Sequence, residues 1–270
     1  MTSKMVGHDA NWAQFSSGLT SGKLHHGWIL AGPRGLGKSG FAARAAAALV
    51  DPDGHQGHLI GQRAHPDIHW VQRLPKDPPK DGEAPDPDAE LKRSISVDQV
   101  RALQRVLTTR PSMGPKRAII VDAADDLERG GANALLKSLE EPPIGTYFLL
   151  ISHASDRLLP TIRSRCQLLR FEPLSDAQMQ IFLAESLPDM SERDRDVLVN
   201  AGGGSPGQAI EFAGFDLAEI EGAMDDIIAH GDKGSKLRHQ LAEALSLKAA
   251  QFRYEAFLRR VPGRIAAFAR

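Results

Sequence analysis

The chain has one cysteine, Cys166, in 270 residues. A lone thiol excludes an internal disulfide and any metal site built on a cysteine cluster. Long hydrophobic runs are missing as well. No apolar stretch approaches the roughly 18 residues that cross a bilayer, and residues 1–20 lack the basic-then-apolar layout of a signal peptide. The cytoplasm is therefore the default compartment, with no membrane partner expected. Nor is there an excess of one charge: Lys plus Arg (33) nearly balances Asp plus Glu (34), so contact with nucleic acid has to come from a local patch and not from the net field. The 41% hydrophobic content is ordinary for a globular chain that buries one large core, or one core plus satellites.

What is present in the right place is glycine. Gly27-Trp-Ile-Leu-Ala-Gly-Pro-Arg-Gly-Leu-Gly-Lys-Ser-Gly40 is a short apolar run emptying into a glycine-rich turn. Gly32, Gly37, Lys38 and Ser39 satisfy the phosphate-loop spacing G-x-x-x-x-G-K-S/T, with Gly35 between them. In that pattern the glycines let successive backbone N–H groups converge on phosphate oxygens, the lysine meets the outer phosphates, and the hydroxyl holds Mg²⁺. The context agrees: Trp28, Ile29 and Leu30 read as a buried strand, and alanine-rich Phe41 to Val50 reads as a helix whose positive N-terminus faces the anion.

Before this, Met5-Val-Gly-His8 precedes a helix with Trp12, Phe15 and Leu19 on one face. That segment either lies over an adenine ring or packs on the edge of the sheet. After it, Asp51 to Gly61 is polar and glycine-rich, Asp67 to Val71 reads as a second strand, and Pro75 to Glu90 carries so many prolines and charges that it reads as a mobile surface loop. His55, His58, His65 and His69 are close in sequence, but no cysteine or helical histidine spacing accompanies them, so no metal site is expected there.

Ser96 or Asp98 caps a helix through Val100, Leu103, Val106 and Leu107, with Pro111 as its stop. Arg101, Arg105 and Arg110 read as a solvated face of that helix more than as phosphate contacts. Arg117-Ala-Ile-Ile-Val-Asp122 then reads as a strand that hangs Asp122 at the carboxyl end of a strand neighbouring the phosphate-loop strand, where a carboxylate holds Mg²⁺ through water. Gly131 to Glu141 is an amphipathic helix burying Ala132, Leu135, Leu136 and Leu139. Thr146 to Ser152 is another buried strand, and Ser152 at its end is placed to sense a γ-phosphate, although a hydroxyl at a strand end is more often without such a role.

Three stretches carry a resemblance: Asn133-Ala-Leu-Leu-Lys-Ser-Leu-Glu-Glu-Pro-Pro143, Leu158-Leu-Pro-Thr-Ile-Arg-Ser-Arg-Cys-Gln167, and Ile95-Ser-Val-Asp-Gln-Val-Arg101. Together they resemble the bacterial clamp-loader branch of the AAA+ ATPases, and within it the delta-prime family of DNA polymerase III, over residues 5–213. The resemblance implies a pentameric ring that opens a sliding clamp and closes it on primer-template DNA during replication. The partners it implies are gamma/tau-like motor subunits and a delta-like subunit. It also implies that Arg165, the arginine of the Ser-Arg-Cys motif, projects into the ATP site of the next subunit as a finger in trans. Arg163 lies outside that motif.

Departures from the family bear on activity. ATPases of this class that hydrolyse well follow the strand-end aspartate with a glutamate that positions water. Ala123 stands there, and Asp125 or Asp126 would need a different backbone reach to replace it. Motor subunits also begin the third lid helix with an arginine, where this chain has Gly207 and Gln208. Many delta-prime subunits carry a cysteine zinc module before the sequence found here as His65-Pro66-Asp67. This chain has no cysteine there, so no zinc is expected.

The expected architecture is an α/β P-loop AAA+ domain with a parallel sheet (residues 1–172), a three-helix lid (173–213) whose helices start at Ser175, Ser191 and Ser205-Pro206, and a partial helical collar (214–270). In the collar Leu217, Ile220 and Met224 share one face and Phe252, Phe257 and Leu258 another. The expected function is a non-motor clamp-loader subunit that gives Arg165 in trans. It holds Mg-ATP or Mg-ADP through Gly32, Gly35, Gly37, Lys38, Ser39 and Asp122 weakly or without turnover. An active motor ATPase is the alternative. A P-loop kinase would need an acceptor site with its own base, and no residue here identifies one.

Overall fold

The computed structural model describes residues 6–77, 86, 89–213 and 217–246, with residues 254, 257, 258, 261 and 265 beyond them. Met5, residues 78–85, 87 and 88 of the proline-rich tract, and Phe252 lie outside the described residues, as do the side chains of Leu217 and Ile220. The chain divides into two compact units, Met1–Glu172 and Pro173–Arg270.

The first unit is a three-layer α/β structure. Its five strands are β1 (Gly27–Ala31), β2 (Ile68–Gln72), β3 (Arg117–Asp122), β4 (Thr146–Ser152) and β5 (Gln167–Arg170). They lie in the order β2-β3-β4-β1-β5, and every pairing is parallel. A parallel sheet covered on both faces requires strands that are apolar throughout, and β1 is buried at all five positions. Alternation along the strands splits the core in two. Ile29, Ile119, Val121, Phe148 and Leu150 face α4 (Val97–Leu107) and α5 (Arg129–Glu140), meeting Val100, Leu103, Leu135 and Leu139. Trp28, Leu30, Ile120, Leu149 and Ile151 face α1 (Asp9–Thr20) and α2 (Lys38–Val50), meeting Phe15, Phe41, Ala45 and Leu49. Of the two sequence alternatives for α1, packing on the sheet is the arrangement that Phe15, fully buried against Trp28 and Phe41, displays.

The strand order corrects one expectation. Asp122 does end a parallel strand, but β4 lies between β3 and the phosphate-loop strand β1, so Asp122 is one strand further away than a direct neighbour. Short elements that escaped the sequence reading include α3 (Gly57–Gly61) and β5. A sixth helix, α6 (Pro160–Arg163), precedes β5.

Of the two cap candidates for α4, Ser96 is the cap. It accepts from the Gln99 amide while the Gln99 side chain returns to the Ser96 amide, a reciprocal capping box. The helix ends at Leu107, well before Pro111. Arg117, 2% exposed, explains the early end: its guanidinium donates to the carbonyls of Val106 (2.8 Å), Thr109 (3.1 Å) and Arg110 (2.9 Å). That satisfies acceptors at the chain's exit from α4 and sets a cation at the helix's negative end. Buried Asp67 holds the same loop from the other side, accepting the Ser112 and Met113 amides at 2.7 Å each. The tract read as a mobile loop is closed at its base, where Pro75 pairs antiparallel with Leu91 and Lys76 pairs with Glu90.

The second unit is helical among its described residues: α7 (Asp176–Ser186), α8 (Glu192–Gly202), α9 (Pro206–Ala213), α10 (Leu217–His230) and α11 (Lys236–Ser246). Ser175 and Ser191 cap α7 and α8 through the amides three residues on, and Ser205 does the same for Gln208 ahead of α9. Gly202 sits where these helices meet: a Cβ there would lie 2.9 Å from Ala209 Cβ and 3.0 Å from Met179 Cε. Further on, Met224, Ile227, Leu241 and Leu245 line an apolar groove with Tyr254 and Phe257. No helix among the described residues is long and apolar enough to cross a membrane.

Candidate functional site

All five strands point the same way, so the first unit has a carboxyl end and an amino end. The sequence-predicted residues divide between them.

At the carboxyl end the phosphate loop runs from β1 into α2. Gly32 has φ +154°, and a Cβ on it would lie 2.2 Å from the carbonyl oxygen of Phe171. The loop is pressed so closely on the end of β5 that only hydrogen fits. Gly37, at φ 78°, is the left-handed residue before α2. The first helical bond is Phe41 N–H to the Gly37 carbonyl (2.9 Å), which leaves the amides of Lys38, Ser39 and Gly40 outside the intrahelical ladder at the positive end of a 13-residue helix. That is an anion cradle in backbone form.

Lys38 is 3% exposed. Its ammonium turns back into the loop, donating to the Gly32 carbonyl at 2.6 Å and to the Pro33 carbonyl. Burial pulls its pKa from the usual lysine value down to about 8, against the opposing pull of Asp122 and Asp125. Half-buried Ser39 follows in the first turn, and half-buried Asp122 ends β3. A hydroxyl and a carboxylate are hard oxygen donors. With phosphate oxygens and water they make the kind of partial shell Mg²⁺ accepts, and no all-protein cage is needed. Among the described residues no group of three or more His, Cys, Asp or Glu is arranged to hold a metal by itself.

The two carboxylates nearest in sequence to the missing glutamate are already engaged. Asp125 accepts from Ser152 Oγ (2.9 Å), the His153 amide (2.6 Å) and the Ala154 amide (3.1 Å). Asp126 pairs with Arg73 Nε at 3.1 Å. Ala123 is 3% exposed. The sensor role read for Ser152 is corrected by the same network, because Ser152 is fully buried and its proton goes to Asp125. The side chain that follows, His153, was missed by sequence reasoning. Its Nδ1 is buried with no hydrogen-bond partner. Burial, then the positive charges of Lys38 and Arg34, hold its pKa below the usual histidine value, so it is neutral at pH 7. A lone histidine after an apolar strand carries no motif that would have marked it. His8 was read only as the residue ahead of the first helix. Its Nε2 meets the Leu36 carbonyl at 2.8 Å and its ring lies 4.6 Å from that of Phe171, which ties the segment before α1 to the phosphate loop.

Arg165 is at the other end. A Cβ on Gly27, the first residue of β1, would lie 3.2 Å from the Arg165 carbonyl and 2.9 Å from Cys166 Sγ. From Gly27 to Gly32 the chain advances roughly 16 Å at about 3.3 Å per residue, further than an arginine side chain reaches. The guanidinium donates through Nη1 to the Thr161 carbonyl (2.8 Å) and Ser164 Oγ (3.2 Å), and through Nη2 pairs with Glu140 at 2.7 Å. Arg163 makes a loose exposed pair with Asp156 at 3.8 Å. Burial lifts the Cys166 thiol to about 12, so it stays protonated and unreactive.

Comparison with known proteins places this geometry. The family described as DNA polymerase III, delta subunit matches residues 7–175. DNA polymerase III subunit delta-prime of Pseudomonas aeruginosa is 34% identical over 204 residues, 72% of this chain and 57% of that protein. DNA polymerase III subunit gamma/tau of Mycobacterium bovis is 30% identical over 207 residues, 75% of this chain and 35% of that protein. A solved structure of a RuvB variant from Thermotoga maritima shares the fold, with a TM-score of 0.50 at 18% identity over 91% of this chain and 72% of that one. The chain spans about half the length of the curated delta-prime relatives it matches.

Proposed function

The chain belongs to the DNA polymerase III clamp-loader family of AAA+ proteins, delta-prime-like in type, and from that premise we propose that it serves its neighbour's ATP site more than its own. In this reading it is a clamp-loader subunit whose Arg165 enters the nucleotide site of an adjacent gamma/tau-like motor. A delta-like subunit, the sliding clamp and primer-template DNA complete the working assembly. Residues 173–213 act as the lid and 214–270 as part of the collar. Gly32, Gly35, Gly37, Lys38, Ser39 and Asp122 hold Mg-ATP or Mg-ADP with little or no turnover.

The observation that carries this reading is the separation of Arg165 from the chain's own phosphate loop by the length of β1. An arginine at the amino end cannot neutralise charge on a phosphate bound at the carboxyl end of the same sheet, which supports a role for Arg165 outside the chain's own phosphate loop. A guanidinium inserted in trans onto a developing γ-phosphoryl charge is worth roughly 10³ to 10⁵ in rate, and the planar fork is what a lysine lacks. Weak turnover at the chain's own site follows from buried Ala123 and from the engagement of both Asp125 and Asp126.

The test is DNA- and clamp-stimulated ATP hydrolysis by the ring reconstituted with its motor subunits, comparing the natural chain with Arg165→Ala. A fall of two or more orders of magnitude at one site, with assembly intact, supports the finger. An unchanged rate removes it and leaves a scaffold. The intact phosphate loop favours a second reading, an active motor of the gamma/tau kind. Steady ATP turnover by this chain alone would establish that reading.

A further inference from the structure

The contacts of Arg165 carry a consequence for how a finger would be controlled. Glu140 is the last residue of α5, and Arg165 follows α6, 25 residues later in the chain. Nη1 donates to the Thr161 carbonyl and to Ser164 Oγ, and Nη2 is held by Glu140. These two terminal nitrogens form the fork that would straddle a phosphate. They are engaged within the subunit, so the finger lies parked. Glu140 is also an awkward carboxylate: it stands at the negative end of α5, where the helix dipole disfavours an anion and draws a cation to it.

We propose that Glu140 is a positioning residue for Arg165, a latch that keeps the fork on its own subunit until a neighbour's nucleotide phosphate displaces the carboxylate. This rests on the reading of Arg165 as a finger in trans. The displacement is chemically reasonable, since a terminal phosphate offers more charge and more acceptor oxygens than a carboxylate. The latch is also weak enough to open. Arg165 and Glu140 are 34% and 48% exposed at their side chains, and an exposed pair of this kind biases an equilibrium by up to about fivefold. Unlatched chains would reach the neighbour's site at lower nucleotide concentration, with the chemical step itself untouched.

The experiment uses the reconstituted ring and measures hydrolysis against ATP concentration for the natural chain, Glu140→Gln, Glu140→Asp, Arg165→Ala and the Glu140→Gln/Arg165→Ala double variant. Glu140→Gln keeps the shape, removes the charge, and is expected to lower the apparent KM about three- to fivefold with kcat unchanged, the pattern of uniform binding gained. Glu140→Asp keeps the charge and is expected to restore the natural KM. In the Arg165→Ala background Glu140→Gln should be silent. An unchanged KM in Glu140→Gln, a fall in kcat, or an equal effect with and without Arg165 overturns the latch while leaving the finger in place. If Arg165→Ala alone is without effect, the finger itself falls and the latch with it.

Discussion

The two ends of the sheet are built on different physical terms. At the carboxyl end the working groups are backbone amides, a lysine that is 3% exposed, and a carboxylate network sealed around fully buried Ser152. The tolerance for change there is set by sterics and desolvation. At the amino end the working groups are long side chains, Arg165 and Glu140, half in water and resting on the outsides of helices. There the tolerance is wide and the energies are small. One end is therefore suited to holding a ligand in fixed geometry, and the other to letting go of one contact and making another. The contrast predicts that mutations at the carboxyl end unfold or empty the site, whereas mutations at the amino end change a rate in an otherwise intact molecule.

The sharpest way to break that contrast is Gly32→Ala against Arg165→Ala. At Gly32 the new Cβ would lie 2.2 Å from the Phe171 carbonyl, and that backbone cannot retreat without opening the pairing of β5 with β1, which Phe171 N–H extends to the Ala31 carbonyl at 2.7 Å. We expect Gly32→Ala to lose about 4 kcal/mol or more, read by urea unfolding, and to bind no nucleotide. Arg165→Ala should unfold within about 1 kcal/mol of the natural chain. Equal stability losses in the two variants would mean that the ends are not mechanically distinct.

A smaller effect separates holding from hydrolysing within the carboxyl end. Removing the Asp125 carboxylate leaves one hydroxyl and two amides without their acceptor, and buried donors left unsatisfied cost about 1–3 kcal/mol each, less where water enters. Asp125→Ala should lose about 3 kcal/mol in the unfolding measurement and Asp125→Asn, which keeps one acceptor, about half of that. Whatever residual ATP turnover the isolated chain shows should not fall with either. A turnover that collapses in Asp125→Asn while stability holds would make Asp125 a water-positioning residue after all.

How much of this was legible depends on the range over which each feature is encoded. The phosphate loop is a local pattern, so Gly32, Gly37, Lys38 and Ser39 are readable from spacing alone, as are β1, β3 and β4, whose runs are apolar at nearly every position. The capping box at Ser96 is readable because its partner, Gln99, is three residues away. Features closed by distant partners are not. Nothing local in Ser152 says that its hydroxyl is taken by Asp125, 27 residues earlier, and nothing in Arg117 says that it terminates α4. Four-residue β5 has exposed Gln167, Leu168 and Arg170 around one buried leucine, Leu169, and so shows no apolar run. The Arg165–Glu140 pair joins two separately recognisable motifs, and the sequence names both residues without saying that they touch.

The smallest effect is a dependence on pH that belongs to the carboxyl end alone. Lys38 in the free chain has a pKa of about 8 because it is buried among loop carbonyls, with Asp122 and Asp125 only partly offsetting that burial. A bound phosphate favours the charged ammonium, so the complex holds its proton to a higher pH than the free chain does. Below about pH 7 both states are protonated and affinity is flat. Above pH 8 the free chain loses the proton that the complex keeps, and affinity for Mg-ATP should fall by up to tenfold per pH unit until the complex reaches its own pKa. The triphosphate is already fully ionised in this range, so its own titration does not contribute. The linked stability runs the other way: the unfolded chain keeps the Lys38 proton to its ordinary value of 10.5, and the nucleotide-free fold gains stability from this residue as pH rises from 8 toward that value. Calorimetric titration with a non-hydrolysable ATP analogue in buffers of differing ionisation enthalpy measures the proton uptake directly. Lys38→Gln should abolish both the uptake above pH 8 and the slope. Glu140→Gln, at the other end of the sheet, should leave them unchanged. Proton uptake that survives Lys38→Gln would move the titrating group elsewhere in the cradle, to a side chain such as His153.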